Sequence, residues 1–243
     1  MASPRLTSLA LYQPSILAGI RSTADEWQAD VLITGYGQLL LNCCRQSGKS
    51  TTAGGIAVIK AVLFPGSTVL LLAPSQRQAA ELLARALPMI RWSRAPILKQ
   101  SVLSVEMVNG SRIIALPGNE KTVRVYTADL IVIDEAARCL DELYEAVRPM
   151  LATTGGQLIA MSTPWGERGW WHDAWVNGGS DWHRVEVPAT SCPRISPEFV
   201  EKERKALPAA VFAAEYECSF QGLGAGVFGA SDELSAALSP DVA

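Results

Sequence analysis

Apolar runs without alternation recur along the chain, at 39–41, 67–73, 130–133 and 157–161. An unbroken apolar run of this length predicts a strand buried on both faces of a parallel sheet. Between the runs the apolar period lengthens to that of a helix. Residues 49–63 predict a helix that stops at Pro65-Gly66, and residues 76–87 predict one with Ala79, Leu82, Leu83 and Ala86 on one face. A third spans 141–151 and carries Leu143, Val147 and Met150. Residues 104–108 do alternate, Asn109-Gly110 is a hairpin turn, and 111–116 pair back antiparallel. The segment 117–128, with Gly118, Asn119, Lys121 and Arg124, predicts a polar loop beside the sheet.

Beyond the last buried run come a tryptophan-rich connection (Trp165, Trp170, Trp171, Trp175) and a strand at 183–187. A helix opens at Ser196-Pro197-Glu198, where serine caps and proline takes the first position, and a second follows Pro208 to about Tyr216. Up to about Ala29, with Pro4, Pro14 and a short apolar piece at Ile16-Leu17, the pattern assigns nothing. From 222 onward Gly224, Gly226 and Gly229 mark a linker or frayed end. The expectation is one α/β domain over 1–221, a mostly parallel sheet with helices on both faces and an antiparallel hairpin insertion, then a tail over 222–243.

The chain has 243 residues, 49% of them hydrophobic and 19% charged, which is enough for a substantial core. A net charge of −3 gives no global attraction to a nucleic-acid backbone, so any DNA contact is expected to be local, shared among subunits, or supplied by a further part of the protein. Lys99, Arg112 and Lys121 are candidates, although solvated surface charge is the better explanation of each. The five cysteines include no C-x-x-C pair and only His172 and His183 could join them, so reduced thiols are expected rather than a metal cluster. No run has the length of a membrane span and no signal peptide is expected, which predicts an intracellular protein without a membrane partner.

Candidate chemistry gathers where the first buried run ends. Cys43 is followed after four residues by Gly48-Lys49-Ser50, the spacing of a phosphate-binding loop with cysteine in place of the first glycine. In Cys43-Cys44-Arg45-Gln46-Ser47-Gly48-Lys49-Ser50-Thr51, the backbone N–H groups of the loop and the helix start can cradle phosphate. Lys49 then reaches the β/γ-phosphates of ATP, and Ser50 holds Mg²⁺. An ordinary polar strand-to-helix turn is the bland alternative. Such a loop needs an acid at a neighbouring strand end, and the run 130–133 ends on Asp134-Glu135. Asp134 suits Mg²⁺, and Glu135 suits the attacking water as general base. Positive charge for the transferring phosphoryl group can come from Arg45 in cis or Arg124 in trans, each also readable as a surface charge. Ser162-Thr163-Pro164 ends another strand, either as a γ-phosphate sensor or as a simple turn. Trp27-Gln28 is either a surface pair or an aromatic and an amide that read adenine.

From Trp27 to Phe228 the chain resembles the N-terminal ATPase domain of the large terminase subunit, the DNA-packaging motor of tailed bacteriophages. The resemblance rests on residues 43–51, on Ala-Pro-Ser-Gln-Arg-Gln-Ala at 73–79, on Val-Arg-Val-Tyr-Thr-Ala-Asp-Leu-Ile-Val-Ile-Asp-Glu-Ala at 123–136, and on Met-Ser-Thr-Pro-Trp-Gly at 161–166. It implies a RecA/ASCE-type P-loop fold, and arginine-glutamine inside the phosphate loop is the family's own variant. It further implies that Trp27 and Gln28 contact adenine, that Lys49 and Ser50 contact phosphate and Mg²⁺, and that Asp134 and Glu135 are the metal-binding and catalytic acids. Ser162-Thr163-Pro164 matches the motif that couples hydrolysis to movement. Arg124 matches the arginine used across subunits, with Arg45 its in-loop rival.

The family works as a homo-oligomeric ring, commonly pentameric, around double-stranded DNA on the capsid portal protein, with a small terminase subunit, in the cytoplasm of the infected bacterial host. Full-length members continue into a two-metal nuclease domain. Residues 222–243 lead towards it without its acidic cluster, so DNA cleavage is not expected of this chain. Two other readings stand beside the motor: a helicase-like or repair ATPase, and a nucleotide-dependent assembly module with little activity alone.

Overall fold

The computed structural model describes residues 24–34, 37–119 and 123–222. The apolar piece at 16–17, Lys121, and the tail beyond Gly222 lie outside the described residues. Among the described residues, eight strands form one sheet: β1 (Gln38–Cys43), β2 (Thr68–Ala73), β3 (Ile97–Gln100), β4 (Ser104–Met107), β5 (Arg112–Pro117), β6 (Leu130–Asp134), β7 (Gln157–Ser162) and β8 (His183–Val187). Their order across the sheet is β3-β4-β5-β2-β6-β7-β1-β8. From β5 to β8 all neighbours run parallel, and β4 pairs antiparallel with both β3 and β5. The fold is thus the mostly parallel α/β architecture expected, with the hairpin turning at Asn109-Gly110, where Gly110 has φ 83°.

The unbroken apolar runs have a direct cause. Leu39, Leu41, Val69, Leu71, Val132, Ile159 and Met161 pack into one core, while Leu40, Leu70, Leu72, Ile131, Ile133, Leu158 and Ala160 pack into another on the opposite face. Successive side chains of a strand point to opposite faces, so a sheet covered on both needs apolar residues at every position. The first core is closed by α1 (Glu26–Thr34), α2 (Lys49–Leu63) and α3 (Gln76–Trp92), the second by α4 (Asp141–Val147) and α5 (Gly169–Asn177). Helices α6 (Pro197–Ala206) and α7 (Ala209–Glu217) follow. Ser196 caps α6 by accepting from the Phe199 N–H, as its sequence predicts.

Five elements differ from the sequence reading. Helix α3 runs five residues past Leu87, through Pro88, to Trp92. Proline removes one backbone donor and frees the carbonyl four residues back, but Ala84 and Pro88 both face solvent, where water satisfies that carbonyl, and buried Met89 and Ile90 hold the last turn. The helix over 141–151 splits into α4 and a 3₁₀ turn, Arg148–Leu151, because Pro149 enters at the junction. The tryptophan-rich connection contains α5, whose Trp170, Trp171 and Ala174 are buried. Arg184 of β8 caps its C-terminal carbonyls, donating to Ala174 O at 2.9 Å and Trp175 O at 2.6 Å. Helix α1 and edge strand β3 had no periodic signal. Among the described residues, no helix is long and apolar enough to cross a membrane.

Candidate active site

Strand order decides which loops meet. β7 lies between β1 and β6, so the carboxyl ends of all three sit side by side, with Asn42 in register with Ser162 and Asp134 in register with Met161. Ligands of open α/β sheets bind at this edge. The loop after β1 reaches α2 through Gly48, which has φ 94° and caps the helix without a side-chain oxygen. The first N–H groups of α2 therefore stay available to an anion. Cys43 still belongs to β1 and pairs in register with Val187, whereas the left-handed positions of the loop are Gln46 (φ 64°) and Gly48. That is why cysteine is tolerated at position 43: strand backbone needs no glycine. Burial pushes the Cys43 thiol up to about 12, so it remains uncharged beneath the loop.

Four of the expected residues converge. Lys49 Nζ lies 3.1 Å from Glu135 Oε1, and the Ser50 hydroxyl donates to Asp134 Oδ2 at 3.0 Å. Burial is the largest single influence on Lys49 and works against its charge. The Glu135 and Asp134 carboxylates together outweigh it, so the lysine pKa lies above its ordinary value. Burial raises the Asp134 pKa, Lys49 opposes the rise, and neighbouring Glu135 adds to it. Glu135 itself has φ 51° and ψ 43°, a left-handed conformation uncommon for a residue with a side chain. A hydroxyl and a carboxylate at one point are hard oxygen ligands, the donor type that Mg²⁺ selects, and the pair fits that ion. Ser162, buried at the tip of β7, accepts the Ala137 N–H at 3.2 Å, so it braces the turn after Glu135; Thr163 and Pro164 follow it.

Gln28 reaches the loop by a circuit the sequence did not reveal. Its Oε1 accepts from the Asp25 N–H and its Nε2 donates to Thr52 Oγ1, which in turn donates to the Gly48 carbonyl. Arg194 closes the circuit, donating through Nη2 to Asp25 Oδ2 at 2.7 Å and to the Ser47 carbonyl at 2.9 Å. Nothing in the sequence singles out Arg194, because its partners lie 169 and 147 residues away along the chain and the contact depends on the turn after β8. Thr51 is partly buried in the first turn of α2. Trp27 packs against the first core with its indole N–H buried and without a hydrogen-bond partner among the described residues.

The two arginines stand apart from this centre. Arg45 extends to Glu215 of α7 (3.6 Å) and, with Gln46, Arg194, Phe199 and Tyr216, lines a cavity of about 430 Å³ beside the loop. Arg124 is exposed and lines a separate groove with Tyr126, Thr127, Glu145 and Thr153.

Residues 40–235 match the family described as terminase large subunit, T4likevirus-type, N-terminal. Among solved structures, the large terminase ATPase domain of Thermus phage P74-26 is similar at 21% identity and TM-score 0.74, over 84% of this chain and 96% of that one. The large terminase of another thermophilic bacteriophage, in complex with ATP-γ-S, is similar at 10% identity and TM-score 0.69, over 81% of this chain and 53% of that one. The HK97 bacteriophage large terminase gives 15% identity and TM-score 0.67, over 82% and 51%. The chain thus spans about half the length of these last two proteins. No curated protein sequence matches it. The family match runs through most of the chain, and the fold agrees with that of solved terminase ATPase domains: the protein belongs to the terminase large-subunit family and carries its N-terminal part.

Proposed function

We propose that this chain hydrolyses ATP to drive double-stranded viral DNA into a procapsid. The observation that carries the reading is the convergence of Lys49, Ser50, Asp134 and Glu135 at one sheet edge. Together they offer a cation for the β/γ-phosphates, two oxygens for Mg²⁺ and an acid for water. Ser50 and Asp134 would hold Mg²⁺, which when bound neutralises charge on the phosphate oxygens. The loop from Arg45 to Thr51 and the first turn of α2 bind the phosphates, and Lys49 fixes their position. Glu135 takes a proton from the attacking water at its carboxylate. Among the described residues, the bonds of Gln28 to Asp25 and Thr52 use one lone pair and one N–H of its amide; the remaining pair would meet an adenine edge beside Trp27 once the side chain, 2% exposed here, is uncovered. Ser162-Thr163-Pro164, between the two halves of the site, couples hydrolysis to movement.

In this reading the chain works as a homo-oligomeric ring, pentameric on the portal protein, with Arg124 of one subunit completing the site of the next and Arg45 shaping the loop. Its partners are double-stranded DNA, the portal and the small terminase subunit, in the cytoplasm of the infected bacterium. That a similar large terminase was solved in complex with ATP-γ-S supports nucleotide binding by this chain.

The test is the steady-state ATPase rate against protein concentration, for wild type and Arg124→Ala. A rate per subunit that rises with concentration and collapses in the variant is expected. A flat dependence with the variant unaffected moves the finger to Arg45, and no hydrolysis at any concentration overturns the assignment for this chain alone. That last outcome favours a second reading, a nucleotide-dependent assembly module. The ion pair of Arg45 with Glu215 and the separate groove of Arg124 are the observations behind it, since losing such an arginine costs on the order of 10³-fold or more in rate.

A further inference from the structure

We propose that the tryptophan-rich stretch after β7 is a positioning device for Glu135, acting through Arg138 and Trp165. The inference rests on reading Glu135 as the general base. A residue with a side chain stays in the left-handed region only when its surroundings hold it there. Glu135 opens a 3₁₀ turn, Ala136–Arg138, in which the Arg138 N–H donates back to the Glu135 carbonyl at 2.8 Å. That turn therefore sets the direction in which the carboxylate leaves the backbone.

Two contacts pin the turn to the tip of β7. The Ala137 N–H donates to Ser162 Oγ, and the Arg138 guanidinium lies over the Trp165 ring, 3.7 Å from its centroid. The next residues are pinned by Trp170, whose indole N–H donates to Cys139 O at 3.2 Å and whose backbone N–H donates to Asp141 Oδ1 at 2.8 Å. Tyr144 stacks on the same ring at 4.6 Å with planes 5° apart. Residues 137–144 are thus held at successive points by residues 162–170.

Arg138 is the informative member. It is exposed, so core packing does not require it, and its cation–ring contact reaches across to the loop that carries Thr163 and Pro164. Because the turn is short, freeing Arg138 lets Glu135 swing, and proton abstraction is sensitive to ångström-scale displacement of the base. The same contact ties the position of Glu135 to that of the β7 tip.

The experiment compares Arg138→Ala, Arg138→Lys, Arg138→Gln, Trp165→Ala and Trp165→Phe in the full 243-residue chain. It measures kcat, KM for ATP, Tm, and amide hydrogen exchange over residues 135–139 without nucleotide. Arg138→Ala and Trp165→Ala lower kcat about tenfold while KM stays within about twofold, and the Ala137 and Arg138 amides exchange faster. Arg138→Lys and Trp165→Phe, which keep a cation and a ring, recover most of the rate; Arg138→Gln does not. Wild-type kcat in both alanine variants overturns the proposal, as does a loss in Arg138→Lys equal to that in Arg138→Ala with a parallel fall in Tm. Glu135→Gln separates the two levels. If it turns over normally, the assignment of the base fails, and the exchange data alone then decide whether Arg138 and Trp165 hold the turn.

Discussion

Lys49 Nζ and Glu135 Oε1 form an ion pair 3.1 Å long in which the lysine is the more buried partner, at 11% exposure against 26%. Each group therefore occupies the other. Replacing Glu135 by Gln keeps the shape and removes the charge that holds Lys49. Turnover should fall by about 10²–10⁴-fold, the range for a lost general base, while ATP affinity stays equal or rises. Phosphate release and nucleotide titration on the same preparation check both halves.

Asp134 predicts a trade between stability and activity. Its pKa in the folded chain is raised, chiefly by burial, so the folded state binds the proton more tightly than the unfolded one. Ionising it therefore costs stability at neutral pH, and the cost disappears as pH falls through the folded pKa and below the ordinary value of 3.8. Asp134→Asn should raise Tm at pH 7, by about 2–4 °C for each kcal/mol regained, and lose Mg²⁺-dependent turnover. Thermal melts at pH 7 and pH 3 check the sign: the gain is present at the first and absent at the second.

Gly48→Ala should impair both folding and binding. A side chain at φ 94° costs about 1–2 kcal/mol. Its Cβ would also stand 2.8 Å from both Arg194 Nη2 and Gln28 Nε2, displacing the two groups that clasp the loop. A lower denaturation midpoint together with weaker nucleotide binding is the expected result.

Arg194 and Asp25 should prove energetically coupled. Asp25 is 7% exposed and loses its guanidinium partner in Arg194→Ala, whereas Arg194 is 43% exposed and partly screened by water. The single change should cost about 1–2 kcal/mol, and the double variant with Asp25→Asn less than the sum of the two singles. Urea titrations of the four proteins give the coupling directly.

Much of this was legible in the sequence, for identifiable reasons. Val69–Ala73 and Leu130–Ile133 could only be strands covered on both faces, and Gly48-Lys49-Ser50 and Asp134-Glu135 announce themselves through spacing and position. Pro88 misled because the carbonyl it frees and crowds belongs to Ala84, which faces water, while Met89 and Ile90 beyond it are buried and hold the helix on. Trp170 and Trp171 gave no helical signal because they lie adjacent, and α5 is held by aromatic contacts, Tyr144 stacked on Trp170 and Trp171 edge-on to it, instead of a periodic aliphatic stripe. Arg194 was invisible for a third reason: its role is set by a long-range turn. Gln28 was legible as a candidate, but its bond to Thr52 was not.

The sheet order also fixes a length. β1 and β6 are separated by the single strand β7, so the backbone that leads into the loop before Lys49 and the backbone that carries Asp134 and Glu135 stand two strand spacings apart, about 9–10 Å. The sheet acts as a gauge block whose size is set by main-chain hydrogen bonds, and every side chain at the site is cut to fit it. Lysine and glutamate just meet across that span, 3.1 Å apart. Side-chain substitutions within β7 that preserve its pairing leave the gauge unchanged, whereas a bulge in that one strand would detune the site without touching a residue that performs the chemistry.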